Sequence, residues 1–256
     1  MKLPVSPNRD LGQHFLVDEN ILGVIGRLAE LGPDDVVLEV GPGLGVLTDY
    51  LAERVARVHA VELDRSLEPH LAPRENVDLH FGDALRLDLA ALDPAPTKFV
   101  SNLPYNVATP LVVESLDGLP SVEHWTVMVQ REVADRFFAE PSTKAYGAVS
   151  VLVQLATVRT GLHPVSRTVF RPQPNVDSAL VAFHRTELPE EFATVKRLVE
   201  AAFAHRRKTL PNSLELSGVA PRARAIEALA TIGRDPDVRA EALDPPDFVS
   251  LELALR

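Results

Sequence analysis

Asp35-Val36-Val37-Leu38-Glu39-Val40-Gly41-Pro42-Gly43-Leu44-Gly45 decides the architecture of this chain. Its apolar, β-branched first half predicts a buried strand. A glycine-rich turn follows at once, and a helix is expected from Val46 to about residue 54. Strand, glycine turn and helix in that order build the first unit of an open parallel sheet. The glycines allow the backbone to approach a ligand closely. Val58-His59-Ala60-Val61-Glu62 reads as the next strand and ends in Glu62-Leu63-Asp64. That acid falls about 20 residues beyond the glycines, where a carboxylate can hold ribose hydroxyls. Two such units predict a nucleoside cofactor. They do not choose between a nicotinamide dinucleotide and S-adenosylmethionine, which both suit this geometry.

The next two strand ends choose. Val77-Asp78-Leu79-His80-Phe81 runs into Gly82-Asp83-Ala84, where Asp83 can accept a hydrogen bond from an adenine amino group or cap the turn after it. The apolar run Lys98-Phe99-Val100 then delivers Ser101-Asn102-Leu103-Pro104-Tyr105-Asn106. Ligands of open α/β sheets sit beyond the carboxyl ends of the strands, so this polar, aromatic segment forms a mouth rather than a core. Its residue types suit a flipped-out adenine whose exocyclic amine receives a methyl group. The lone pair of that amine is delocalised into the ring, and two acceptors on its hydrogens localise it. The Asn102 side-chain carbonyl can be one acceptor, and the backbone carbonyl of Leu103 or Pro104 the other. Pro104 fixes its own φ and biases Leu103 to extended geometry. Tyr105 offers a flat face, and stacking contributes roughly 1–3 kcal/mol per base. An amine that has just gained a methyl cation is very acidic, so no strong general base is required. Nicotinamide chemistry has no obvious use for this fourth element.

The chain has 256 residues, 46% of them hydrophobic, which suits one large domain plus a small one. It has no Cys, which excludes disulfides, thiolate metal sites and a Cys nucleophile and is compatible with a cytoplasmic location. Met1-Lys2-Leu3-Pro4 lacks the apolar core of a signal peptide. No run approaches the ~18 apolar residues of a membrane span. The net charge of −10 argues on its face against nucleic acid, but the distribution of charge matters more than its sum. Arg159, Arg167, Arg171, His184 and Arg185 form one basic group; Lys196, Arg197, His205, Arg206, Arg207 and Lys208 form another.

Residues 1–9 read as a flexible arm. Asp18 is the expected N-cap of a helix with Ile21, Leu22, Ile25 and Leu28 on one face, ended by Gly32-Pro33. Thr109 and Pro110 are expected as cap and first residue of another. A strand is expected over 122–129, helices over 131–138 and 145–157, and the last two strands near 162–165 and 179–183. Between these strands, prolines stiffen the loop 170–174; Phe170 is expected there as a second wall against the target base, or as a buried anchor. A boundary near 185–189 separates a catalytic domain, 1–186, from a helical domain, 187–256, carrying the second basic group. No repeat, low-complexity tract or zinc-ligand spacing is present.

The motifs in order resemble the ribosomal RNA adenine dimethyltransferases. They are Gly12-Gln13-His14-Phe15-Leu16, Glu39-Val40-Gly41-Pro42-Gly43-Leu44-Gly45, Glu62-Leu63-Asp64, Gly82-Asp83-Ala84 and Asn102-Leu103-Pro104-Tyr105-Asn106. The likeness continues through Val127-Met128-Val129-Gln130-Arg131-Glu132-Val133-Ala134, Tyr146-Gly147, Phe170-Arg171-Pro172-Gln173-Pro174-Asn175-Val176-Asp177-Ser178 and Phe203-Ala204-His205-Arg206-Arg207-Lys208-Thr209-Leu210. The resemblance implies an α/β class I Rossmann-like methyltransferase with a seven-stranded, mostly parallel sheet and a small all-helical C-terminal domain. It implies S-adenosyl-L-methionine as cofactor, bound by His14, Leu16, Gly41, Gly43, Glu62, Leu63, Asp83, Ala84 and Asn102, and no metal. Asn102, Pro104, Tyr105 and Phe170 are the implied catalytic group. The implied substrate is a pair of adjacent adenosines near the 3′ end of 16S rRNA in the small ribosomal subunit, methylated by a monomer. A large-subunit (23S) methyltransferase of the macrolide-resistance kind and a non-catalytic ribosome-assembly factor are the alternatives. Two residues depart from the pattern: His14 stands where Asn is commoner, and Pro211 is expected to end or kink a helix.

Overall fold

A computed structural model describes residues 3–8, 11–71 and 73–256. Met1, Lys2 and Arg9 of the expected arm lie outside the described residues, and 3–8 hold no helix or strand. The first half runs β1 (Phe15–Leu16), α1 (Asn20–Leu28), β2 (Val36–Val40), α2 (Val46–Ala52), β3 (Arg57–Glu62), β4 (Val77–Phe81), β5 (Lys98–Asn102), α3 (Ala108–Gly118) and β6 (His124–Gln130). Then follow α4 (Arg131–Phe137), α5 (Ala148–Ala156), β7 (Thr157–Val165), β8 (Phe170–Arg171), β9 (Ser178–Arg185), α6 (Phe192–Ala204), α7 (Leu210–Leu216), α8 (Arg222–Thr231) and α9 (Pro245–Leu255).

Seven strands form one sheet in the order β4-β3-β2-β5-β6-β9-β7, the expected class I methyltransferase arrangement. The first five are parallel and β9 runs antiparallel to β6. β2 is buried at all five positions, as a central parallel strand with helices on both faces must be. Ile21, Leu22 and Ile25 of α1 and Leu47 and Leu51 of α2 pack with Val37, Val58, Ala60, Val100, Met128 and Leu180 of the sheet. Strand order reverses at β2, which has β3 on one side and β5 on the other. A crevice opens beyond the carboxyl ends of strands at such a switch point.

The chain divides into two compact units, Met1–Ala134 with Arg159–Arg185, and Asp135–Val158 with Thr186–Arg256. The boundary expected at 186 is therefore too simple, because residues 135–158 group with the C-terminal helices. The apolar residues of α5 pack against α6 and α9. Within this second unit the Tyr146 hydroxyl donates to the Leu243 carbonyl at 2.8 Å, and Ser142 N–H to the Glu241 carbonyl at 2.7 Å.

Three local expectations are corrected. Asp18 accepts from the backbone N–H of Asn20 at 2.9 Å, but Glu19 is the N-cap residue of α1. α3 starts at Ala108, so Thr109 and Pro110 lie inside its first turn, where Pro is tolerated because its missing N–H would have no partner. Pro211 occupies the first turn of α7, so it starts that helix rather than breaking one.

Two side chains of the sheet unit have structural roles that composition hides. Arg185 donates to the carbonyls of Val122, Leu116 and Leu119 at 2.6, 2.8 and 2.9 Å, and its guanidinium lies 4.9 Å from the Trp125 ring centre. It satisfies carbonyls at the end of α3 and is not part of a phosphate-binding face. Glu39, in β2, is 1% exposed, and its Oε2 has no hydrogen-bond partner among the described residues. Burial, with the negative charges of Glu62 and Asp49, pushes its carboxyl up from 4.5 to about 8. Arg185→Ala should lower stability by about 2–4 kcal/mol in urea unfolding, since it strands three carbonyls that accept charged hydrogen bonds. Folded Glu39 keeps a proton that the unfolded chain loses near 4.5, so the stability of the ligand-free protein should fall as pH rises from there to about 8. Unfolding at about pH 5 and about pH 8 should show that decline in the wild type and less of it in Glu39→Gln, which stays neutral throughout.

Candidate active site at the carboxyl ends of the strands

The crevice is lined by every expected cofactor residue: His14, Leu16, Gly41, Gly43, Glu62, Leu63, Asp83, Ala84 and Asn102. Pro104 and Tyr105 of the mouth line it too. Gly41, Gly43 and Gly45 have φ of 77°, 60° and 80°, a left-handed turn that L side chains rarely adopt. A Cβ on Gly41 would sit 3.2 Å from the Pro104 ring, and one on Gly43 would sit 2.9 Å from Phe15. The turn is thus packed from both sides, with bare backbone toward the crevice.

Glu62 ends β3 and its two oxygens are already partly engaged. Oε2 accepts from Gly43 N–H at 3.1 Å and Oε1 from Asp64 N–H at 2.9 Å. Each oxygen keeps a second lone pair for a hydroxyl. Burial raises this carboxyl, against the lowering effect of those backbone donors. Asp83 accepts from Leu85 N–H at 3.0 Å, so it holds the turn that presents it, and its other oxygen lies 3.4 Å from Arg86. That bond is the turn-capping role weighed for Asp83. Leu63 is 54% exposed at the rim, an apolar side chain free to cover a flat ring.

β5 supplies the mouth. Its backbone pairs with β2 at Lys98 and Phe99. Beyond them the Ser101 hydroxyl takes over, donating to the Val40 carbonyl at 2.5 Å and accepting from Val40 N–H at 3.2 Å. The next residue, Asn102, donates its amide Nδ2 to the His14 carbonyl at 3.4 Å. A carbonyl can only accept, so this bond fixes the amide orientation and leaves Oδ1 as the side chain's acceptor. The Pro104 carbonyl accepts from Val107 N–H at 3.1 Å to close the turn. Tyr105 is anchored through its hydroxyl to Ser178 at 2.6 Å, and burial raises its pKa. Its ring lies 5.7 Å from that of His14.

Phe170 does not belong to this group. It is 1% exposed in β8, opposite Leu16 of β1, and packs into the core with α1 and the sheet. The proline-rich loop instead straps the N-terminal segment down through that two-stranded pairing. The His14 ring faces the Pro172 carbonyl at 2.8 Å, and the His14 backbone carbonyl is directed at Asn102.

Sequence reasoning gave no role to several residues that build the site. Gln13 donates to Asp64 at 2.8 Å and accepts from Asn8 N–H at 2.7 Å, closing one wall. Phe15 backs the glycine turn. Glu39 lines the crevice from below, and Ser101 and Ser178 hold the mouth. Gln13, Phe15 and Glu39 stand inside motifs that carry the family resemblance, which was the only signal for them.

Residues 5–251 match the profile of a family described as ribosomal RNA adenine dimethylase. The chain is 50% identical to ribosomal RNA small subunit methyltransferase A of Rubrobacter xylanophilus, over 96% of this chain and 94% of that one. It is 44% identical to the protein of the same name from Thermobifida fusca, over 98% and 91%. Among solved structures, a dimethyladenosine transferase from Plasmodium falciparum shares the fold with a TM-score of 0.76 at 24% identity, over 93% of this chain and 96% of that one. The 23S rRNA methyltransferase ErmE superposes with a TM-score of 0.65 at 29% identity, over 94% and 99%. Profile and relatives span nearly the whole chain and agree with the crevice built above: this chain belongs to the ribosomal RNA adenine dimethylase family.

Proposed function

We propose that Asn102 Oδ1 and the Leu103 carbonyl accept the two hydrogens of a target adenine amine while Tyr105 stacks on its ring. The reaction is S-adenosylmethionine-dependent dimethylation of adenosines in small-subunit (16S) rRNA. The observation that carries the mechanism is the bond from Asn102 Nδ2 to the His14 carbonyl, which aims the opposite end of the amide as an acceptor. Of the two candidate backbone carbonyls, that of Pro104 is already used by Val107 N–H, which favours Leu103.

S-adenosylmethionine, when bound, supplies a methyl group on a positively charged sulfur. The crevice fits a cationic nucleoside: Glu39, Glu62 and Asp83 line it, and the buried Glu39 Oε2 lacks a partner among the described residues. Glu62 holds ribose hydroxyls, Asp83 the adenine amino group, and Leu63 and Ala84 flank the adenine ring. Gly41 and Gly43 make room for the rest. The target base leaves its stack to reach the mouth, because an amine inside a duplex is out of reach. The oriented acceptors localise the amine lone pair, and fixed position supplies much of the acceleration. The methylated amine is acidic and gives up its proton to solvent, which permits a second transfer.

No described helix is long and apolar enough to cross a membrane. The reading places the protein in the cytoplasm as a monomer acting on small-subunit rRNA or its precursor particle. His205, Arg206, Arg207 and Lys208 form an exposed basic run after α6 and serve as the phosphate-binding surface of the helical unit. A 23S substrate is less favoured, because the relatives at 50% and 44% identity are named for the small subunit.

Asn102→Ala should reduce methyl transfer from labelled S-adenosylmethionine to undermethylated small subunits by at least about 100-fold, the scale of losing one oriented polar group. Cofactor binding should weaken but stay measurable; turnover near the wild-type rate would remove the acceptor mechanism. Replacing Arg206, Arg207 and Lys208 with Gln should weaken RNA binding and flatten its salt dependence by roughly 0.7–0.9 for each phosphate no longer neutralised. An unchanged slope would mean that this run does not touch RNA.

A further inference from the structure

The opposite end of the sheet carries a second constellation. His124 opens β6, and His184 sits directly across from it in β9. Glu30 follows α1, just past its C-cap Ala29. β6 is seven residues long, so this cluster and the catalytic crevice are roughly 20 Å apart at about 3.3 Å per strand residue. One donor atom from each of the three side chains lies within 4.8 Å of the other two. The two imidazoles lie against each other, tilted by 48°, with ring centres 4.0 Å apart. His184 Nε2 is 3.7 Å from Glu30 Oε1, too far for a hydrogen bond, and this buried nitrogen has no partner among the described residues. A buried polar atom left in that state requires an explanation.

The surroundings suit a cation. The His124 ring hydrogen-bonds to the Leu28 backbone, the type of outer interaction that orients a ligating imidazole. Lys98 is the opposing charge. Its ammonium is held by the Asp35 carboxylate at 2.9 Å and by the backbone carbonyls of Ala29 and Glu30, so Asp35 offsets it. Glu30 has φ of 49°, a left-handed position after a helix where Gly is usual. Its exposed side chain can swing inward to shorten the present spacing to ligand bonds of about 2.0–2.2 Å.

We propose that Glu30, His124 and His184 form a divalent transition-metal site that takes zinc, with two imidazoles, one carboxylate and a water completing a tetrahedron. Two imidazoles and a carboxylate are an ordinary zinc donor set. The ion would join the end of α1 to the paired strands β6 and β9, a structural staple separate from methyl transfer. The three residues are far apart in sequence, which is why no ligand spacing marks them.

The test is calorimetric titration of zinc chloride into chelator-stripped full-length protein, with thermal unfolding in parallel. The wild type should bind one zinc ion per chain and gain thermal stability, since an ion that binds only the folded state stabilises it. Loss of an outer-shell partner alone weakens metal binding roughly 10–100-fold, so His184→Ala and Glu30→Gln should each weaken zinc by at least about tenfold. S-adenosylmethionine binding should be unchanged in Glu30→Gln. No saturable zinc binding by the wild type, or equal affinity in Glu30→Gln, overturns the proposal. Glu30 is exposed, so its variant tests the site even if the His184 variant fails to fold.

Discussion

The separation of β2 from β5 beyond Phe99 is the constraint on which the site depends. Both strands are central and buried, and continued backbone pairing would seal the place where the order reverses. The Ser101 hydroxyl replaces that ladder, taking both the N–H and the carbonyl of Val40. Buried backbone groups are therefore satisfied while the strands part. The glycine turn leaves one lip of the gap and Asn102 the other. Gly41 meets the Pro104 ring across it, so turn and mouth are packed as one piece.

The N-terminal segment closes this gap by several weak ties rather than one strong one. Gln13 holds Asp64, whose carboxyl is kept low chiefly by the Ser66 hydroxyl. β1 pairs with β8, and the His14 carbonyl receives the Asn102 amide. The His14 ring is held by the Pro172 carbonyl, and its bond to Asn102 is made through the backbone.

Electrostatics divide by place. Glu39, Glu62 and Asp83 line the crevice, and the formal charge of −10 counts all three as ionised although burial keeps Glu39 protonated up to about 8. Cations of the two basic groups meet different fates in the fold. Arg185 is drawn into carbonyls and His184 lies against the tilted His124 ring, while 205–208 stay exposed on the helical unit. Net charge alone would have hidden all three fates.

Local pattern by itself determined the seven strands of the main sheet, the glycine turn, the acid after β3 and the Asn-Leu-Pro-Tyr segment. Apolar periodicity, glycine's φ and proline's ring act within a few residues, so they are legible in one dimension. Tertiary structure alone decided what depends on distant partners. Gln13 meets Asp64 across 51 positions, Tyr105 meets Ser178 across 73, and His14 meets Pro172 across 158. The same holds for Phe170, drawn into the core by a strand pairing that its proline-rich surroundings conceal, and for residues 135–158, claimed by the helical unit because α5 is apolar enough to bury there. A side chain's chemistry is written in its identity, but whether it faces a ligand, a carbonyl or the core is settled by which remote segment arrives beside it.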